Sequence, residues 1–300
     1  MDLASINFLQ IFFNGLITGS IYFLAALGLS LTYSLLNFPN ISHAEFLAFG
    51  AYAAYMSLKL IENNFFLSII IAFISTGFLG IFSYLIVFKP LSKKGSKPMH
   101  LTIASLGYGL FLRYSMYQFF GREALTYKLW FEAFNIGPIR VTSLWILIIL
   151  TSLILVFLLH LFLKKTLIGK AMRALSNNQI LAMVCGIDKE RILLLVWFIG
   201  AGLAGIGGVF RAGDTRITPI LGWDLMIPIF SIIILGGIKN LYAIIASAYI
   251  IGLIENFSII LLTIFNLSTE YKVIIAFIIL IIILILKPYG LFTKAGNKSD

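Results

Sequence analysis

Apolar residues in this chain run in long unbroken blocks, and polar residues gather in the short stretches between them. A helix needs about 20 mostly apolar residues to cross hydrocarbon. By that standard the sequence predicts spans at 7–36, 42–61, 65–88, 101–120, 144–163, 193–210, 225–238, 241–262 and 273–287, of which 225–238 is short. Only helices and closed barrels satisfy every backbone polar group in lipid. A barrel would alternate polar and apolar residues over ~10-residue segments, and a run such as Val273 to Leu286 does not alternate. The pattern predicts an all-α integral membrane protein: a polytopic helical bundle with about eight or nine spans, residues 1–300 forming a single transmembrane domain.

Composition points the same way. Of 300 residues, 60% are hydrophobic and 11% charged, against roughly 45–50% and 25% in soluble domains. A soluble fold of this length could not hide that much apolar surface, because folding leaves a sizeable share of the chain exposed. The first segment carries Asp2 and no Lys or Arg, so it lacks the positive region of a signal peptide and is expected to stay as a helix. Cys185 is the only cysteine, which excludes an intrachain disulfide.

Charge sets the orientation. Lys and Arg concentrate in cytoplasmic connections. The alternate connections 89–100 and 164–192, the 239–240 turn and the C-terminal tail hold Lys89, Lys93, Lys94, Lys97, Lys164, Lys165, Lys170, Arg173, Lys189, Arg191, Lys239, Lys287, Lys294 and Lys298. They hold only three acids, Asp188, Glu190 and Asp300, whereas acids and bases balance on the opposite side. This predicts an external N-terminus and an internal C-terminus. The net charge of +10 is thus a topology signal that suits anionic lipid and does not call for nucleic acid.

The 164–192 connection carries structure of its own. Ser176-Asn177-Asn178-Gln179 matches a capping box in which Ser176 caps and Gln179 reaches back. Gly186 suits the left-handed position that ends a helix. Between them 177–185 reads as a short helix bearing Ile180, Leu181, Met183 and Val184. An apolar helix in a charged loop needs cover, either from the protein's own helix ends or from a soluble partner.

A second informative segment is Asn37-Phe38-Pro39-Asn40-Ile41-Ser42. Pro39 lacks an N–H and disfavours helix at Phe38. The segment reads either as a cytoplasmic turn or as a break within the membrane, the kind of break that builds transporter substrate sites. It leads into His43, Glu45 and a helix rich in small residues. Three ionisable residues fall near or within spans: Glu45, Arg113 and Glu255. Such groups are costly in lipid and mark function by default, and Arg113 could pair with either acid. The small-residue run Gly200 to Gly208 predicts close helix packing. Gly236-Gly237 reads as a second interruption, followed like the first by a helix with a glutamate, which hints at an internal repeat. His43, His100 and His160 are scattered, and no metal spacing or phosphate-binding glycine loop occurs, so the chain reads as a transport protein and not an enzyme.

Several segments resemble one known family. Gly28-Leu29-Ser30-Leu31-Thr32-Tyr33, Asn40-Ile41-Ser42-His43-Ala44-Glu45-Phe46 and Gly50-Ala51-Tyr52 resemble the first signature of LivH-type permeases of branched-chain amino acid ABC importers, which usually reads Asn-Phe-Ala-His-Gly-Glu. Gly169-Lys170-Ala171-Met172-Arg173-Ala174 and Ala182 through Ile187 resemble that family's cytoplasmic loop, and Gly236-Gly237 with Lys287-Pro288-Tyr289-Gly290-Leu291-Phe292 complete the likeness. Ala44 and Ser34 stand where glycine is usual, and Lys239-Asn240 replaces small residues.

The resemblance implies a type II ABC-importer-like fold in a bacterial inner membrane. It implies a second homologous permease subunit, two cytoplasmic ATP-binding subunits that hydrolyse ATP, and a periplasmic solute-binding protein, with no cofactor in this chain. It assigns ATPase coupling to Gly169, Arg173, Ile180, Leu181, Ala182, Val184, Gly186 and Ile187 within the 164–192 loop. The break and the buried charges make Asn40, Ser42, His43, Glu45 and Glu255 the substrate-pathway candidates. Leucine, isoleucine and valine are the implied substrates. Urea or short amides are the alternative within the family, and a proton-coupled secondary transporter using Glu45, His43 and Glu255 is the alternative outside it.

Overall fold

The computed structural model describes residues 7–61, 63–129, 131–238 and 240–286, without the side chains of Glu270, Ala276, Leu284 and Leu286. The Lys239 turn position and the Lys287–Phe292 ending lie outside the described residues.

Each predicted span coincides largely with a helix, and further short helices stand between some of the spans among the described residues. In chain order the helices are α1 (Phe8–Leu36), α2 (His43–Leu60), α3 (Phe65–Ser83), α4 (Lys89–Lys93), α5 (Pro98–Phe120), α6 (Ser143–Lys165), α7 (Leu167–Asn177), α8 (Gln179–Val184), α9 (Lys189–Asp214), α10 (Leu221–Gly236), α11 (Leu241–Ile264) and α12 (Lys272–Leu286). A π-helical turn, Tyr84–Phe88, joins α3 to α4. Its cause is Pro90, which cannot donate to the carbonyl four residues back and crowds it. The Lys89 N–H reaches back to Tyr84 instead, widening the helix before the proline.

Of the eight or nine expected crossings, five helices are long and apolar enough by length and composition alone: α1, α3 continued through α4, α6, α9 and α11. α10 and α12 are apolar but short. α2 and α5 fall outside because α2 carries His43, Glu45 and many small residues, and α5 carries His100 and Arg113. Outward-facing Phe66, Phe78 and Phe82 on α3, and Leu150, Ile154 and Phe157 on α6, are each more than half exposed. At ~25 cal/mol per Å² of apolar surface, such faces belong in lipid or against protein and not in water. The molecule is a multi-pass membrane protein.

One element departs from the all-α expectation. The connection after α5 forms an antiparallel hairpin of β1 (Ala133–Ile136) and β2 (Ile139–Thr142), in register Ala133↔Thr142 through Ile136↔Ile139. The side chain of Gln10 brackets Arg140, accepting from its N–H at 2.8 Å and donating to its carbonyl at 3.1 Å.

The chain divides into two compact units. The first comprises 1–26, 129–152 and 227–300. In it, α1 packs on α11 through small residues: a side chain at Gly19 would meet the Cα of Tyr249 at 3.0 Å, and one at Gly15 the Cα of Leu253 at 3.0 Å.

The second unit comprises 27–128 and 153–226, and its centre is α2, α3 and α9. The predicted packing of the Gly200–Gly208 run is realised there. Gly50 of α2 lies so close to Gly205, and Gly28 of α1 so close to Gly200, that a methyl group at Gly50 or Gly28 would strike the backbone of α9. Trp197 on α9 is fully buried, stacked on Phe88 at 4.9 Å and on Tyr84 at 5.9 Å, with Phe46 edge-on at 6.4 Å. The π turn places both Tyr84 and Phe88 on this indole.

Candidate functional site

α1 ends as the sequence predicts. Asn37 adopts a left-handed conformation with φ 53°, which Asn tolerates better than most residues, and Pro39 bars a return to helix. The segment is not an exposed turn: Phe38, Asn40 and Ser42 are buried. α2 then starts with a tightened first turn, in which His43, Ala44 and Glu45 donate to the carbonyls of Asn40, Ile41 and Ser42 at 3.3, 3.3 and 3.0 Å. These bonds take up N–H groups that a helix start leaves without intrahelical partners. The Ser42 hydroxyl, relieved of capping, donates to Asn40 Oδ1 at 2.6 Å.

One face of α5 closes over this turn. Ser105, Gly109 and Arg113 recur every four residues and so lie in one row. Ser105 Oγ accepts from the Ile41 N–H at 3.0 Å. A side chain added at Gly109 would meet Ser42 Cα at 3.3 Å and Glu45 Cγ at 3.7 Å. Arg113 pairs with Glu45, Nε lying 3.1 Å from Oε1 and Nη2 contacting the same oxygen. Its guanidinium also sits over the Trp223 ring, 4.4 Å from the centroid, a favourable cation–π placement. Asp224 next to that ring interacts electrostatically with Arg113 and Arg211.

Four of the five pathway candidates, Asn40, Ser42, His43 and Glu45, thus share one buried turn. Glu255 belongs to the first unit and has partners of its own there. Its Oε2 accepts from Tyr22 Oη at 2.6 Å and its Oε1 lies 3.1 Å from Lys272 Nζ. Beside it, Asn256 donates to Thr18 Oγ1 at 3.0 Å. Arg113, open between two acids on sequence alone, takes Glu45.

The 164–192 loop forms α7 and α8. Thr166 caps α7 by accepting from Gly169 N at 3.0 Å, and Gly169 lies against the backbone of Phe162 and Leu163. The expected capping box does not form. α7 continues through Asn177, and the cap of α8 is Asn178, whose side chain accepts from Leu181 N at 3.0 Å. Asn and Ser cap about equally well, and a start at Gln179 leaves Ser176 inside α7. Gln179 turns away from the helix start, donating to the Leu35 carbonyl and accepting from Lys189 Nζ at 2.8 Å. The predicted helix 177–185 is therefore shortened to 179–184.

Its end is as expected. Gly186 has φ 84°, and Ile187 N donates to Ala182 O at 3.1 Å, a Schellman closure. Ala182 faces inward, while Ile180, Leu181 and Val184 are 74%, 61% and 78% exposed, and Arg173 is exposed. The loop thus presents a rigid apolar knob with no cover among the described residues.

Sequence alone does not reveal which acid Arg113 takes, nor the part played by Ser105, Gly109, Trp223 and the Gln179–Leu35 bond. The four-residue spacing of Ser105, Gly109 and Arg113 is the one signal of them that it carries.

The family model for the branched-chain amino acid transport system permease component matches residues 11–284. The chain is 32% identical over 292 residues to the probable branched-chain amino acid transport permease protein LivH of Methanocaldococcus jannaschii, covering 92% of this chain and 90% of that protein. It is 26% identical over 308 residues to the high-affinity branched-chain amino acid transport system permease protein LivH of Escherichia coli K12, covering 96% of each. In fold it is similar to a chain of PsaBC from Streptococcus pneumoniae in complex with Fab, with a TM-score of 0.51 and 16% identity over 98% of this chain and 97% of that one. Permease components are transport subunits without an enzymatic role of their own, and with nearly its whole length matched this chain belongs to the family of branched-chain amino acid transport system permease components.

Proposed function

We propose that this chain carries leucine, isoleucine and valine across a bacterial inner membrane into the cytoplasm, as one of two homologous permease subunits, driven by ATP that two cytoplasmic partner subunits hydrolyse. A periplasmic binding protein delivers the solute, and residues 1–300 act as one type II importer-like domain with no cofactor of its own. The eight or nine predicted spans cross the bilayer, with the lysine-rich connections inside.

The observation that carries this reading is the apolar knob of α8. Ile180, Leu181 and Val184 stand exposed on a helix of one and a half turns, fixed at one end by Asn178 and at the other by Gly186. A short apolar helix fixed this rigidly suits the cleft of a separate motor domain. Movement of that helix rocks the subunit and opens the path at Asn40, Ser42, His43 and Glu45, and at Glu255, alternately to each side.

The test is co-purification and uptake. With Ile180→Asp and Leu181→Asp together, the chain is expected to insert normally but to lose its ATPase partners and ATP-driven leucine uptake. Undiminished uptake in that variant overturns the coupling role.

A further inference from the structure

We propose that Glu45, Arg113 and Asn40 form a head-group site for an α-amino acid zwitterion, in which the substrate's ammonium takes Glu45 and its carboxylate takes Arg113 and Asn40. This rests on the reading of the chain as an amino-acid permease and adds to it the groups that distinguish an amino acid from other small apolar solutes.

Three observations carry it. The first is the geometry of the ion pair. A guanidinium and a carboxylate paired for their own sake frequently engage side by side, one N–H on each oxygen. Here Nε and Nη2 of Arg113 both point at Oε1. Glu45 Oε2 is buried and makes no hydrogen bond among the described residues.

The second is a matching donor. Asn40 Nδ2 is likewise buried and without a hydrogen bond among the described residues, because the Ser42 hydroxyl occupies only the carbonyl end of that amide. Glu45 and Asn40 are each 1% exposed. An unmet acceptor and an unmet donor at such depth are costly, and they occupy one turn of chain. An ammonium satisfies the first and a carboxylate the second.

The third is charge balance. Glu45 and Asp224 both interact electrostatically with Arg113, which pairs directly with Glu45 and sits over the Trp223 ring. When the substrate ammonium engages Glu45, the guanidinium keeps its place over the indole, with the charge of Asp224 still acting on it, and turns its free N–H groups to the substrate carboxylate. A net-neutral ligand enters without leaving a buried charge alone. A free carboxylic acid or a free amine would leave one.

The experiment uses the whole importer, this chain with its partner permease, ATPases and binding protein, in proteoliposomes. Replacing a buried ion pair outright with apolar residues is often neutral for folding, so Glu45→Leu with Arg113→Leu is expected to assemble with its partners. Leucine uptake should fall about tenfold or more, the scale of a lost charged hydrogen bond. Uptake within twofold of the unaltered importer makes the pair structural and overturns the proposal. Absence of ATP-driven leucine uptake in the unaltered importer instead overturns the permease reading itself.

Should the double variant fail to assemble, the unaltered complex without its binding protein decides. Radiolabelled leucine should bind it, and be displaced by valine but not by isocaproate or isoamylamine, which keep the side chain and lack one head group each. Displacement by either as effective as by valine, or no saturable binding, overturns the proposal.

Discussion

Gln179 donates its side-chain amide to the carbonyl of Leu35, which joins the first turn of α8 to the last turn of α1. The carbonyl lies two residues before Asn37, where the chain turns left-handed into the buried segment that holds Asn40, Ser42, His43 and Glu45. The same glutamine accepts from Lys189 at the start of α9. One residue therefore connects the apolar knob of α8, the end of α1 and the helix at the centre of the second unit. Gln179→Leu keeps the stem volume and removes both bonds. The full importer carrying it is expected to assemble and hydrolyse ATP while moving several-fold fewer leucine molecules per ATP. The ratio of uptake to phosphate release in proteoliposomes measures this, and an unchanged ratio would show that the link transmits nothing.

Gly186 is the second point at which backbone geometry governs α8. Its φ of 84° costs an L-residue with a β-branched side chain on the order of 1–2 kcal/mol, and more where the cap cannot relax. Gly186→Val should therefore fray α8, expose the Ala182 carbonyl and reduce recovery of ATPase subunits on co-purification. Gly186→Asn, which tolerates the left-handed region, should retain most of it. Equal recovery from both variants would remove conformation as the cause.

The signals legible in the sequence were those that a few adjacent residues determine. Pro39 and the asparagines around it mark the end of α1, Gly186 marks the end of α8, and the Gly200–Gly208 run marks the tight face of α9, because each depends on local backbone geometry or on the absence of a side chain. What was not legible depends on residues far apart. Arg113 stands 68 positions from Glu45, and nothing near either residue says that α5 closes on α2. The cap of α8 moved from Ser176 to Asn178 since several capping residues stand in a row, and α7 extends further than the pattern shows. The π turn at 84–88 was missed because its cause, Pro90, reads equally well as a helix end. The hairpin at 133–142 hid in a polar connection whose strands are only four residues each.

Close packing of α9 against α2 and α3 makes its own prediction. A Cβ at Gly50 of α2 would strike Gly205 Cα, and a Cβ at Gly205 would instead meet α3, striking the Thr76 side chain at 2.6 Å and approaching Ala72 O at 3.2 Å. Gly205→Val should lower the melting temperature of the detergent-purified protein by several degrees, an overpacking effect of about 1–3 kcal/mol. Gly107→Ala, on an exposed face of α5 with no atom within 4 Å, is the control and should leave it unchanged.

The glutamate of the first unit yields a prediction whose sign separates charge from packing. Glu255 is 1% exposed and is held by the Tyr22 hydroxyl and by Lys272 at the start of α12. Removing one partner of a buried pair leaves an uncompensated charge, a penalty of about 3–5 kcal/mol when both ends are buried. Lys272 is 27% exposed, so water screens part of the loss and about 1–2 kcal/mol is the expected destabilisation for Lys272→Met. Adding Glu255→Gln removes the stranded charge while keeping an acceptor for Tyr22, and the double variant should recover most of the lost thermal stability in detergent. If Lys272→Met destabilises and Glu255→Gln fails to rescue it, the lysine acts through the packing of its methylene stem, and the pair plays no electrostatic part in holding α12 to α11.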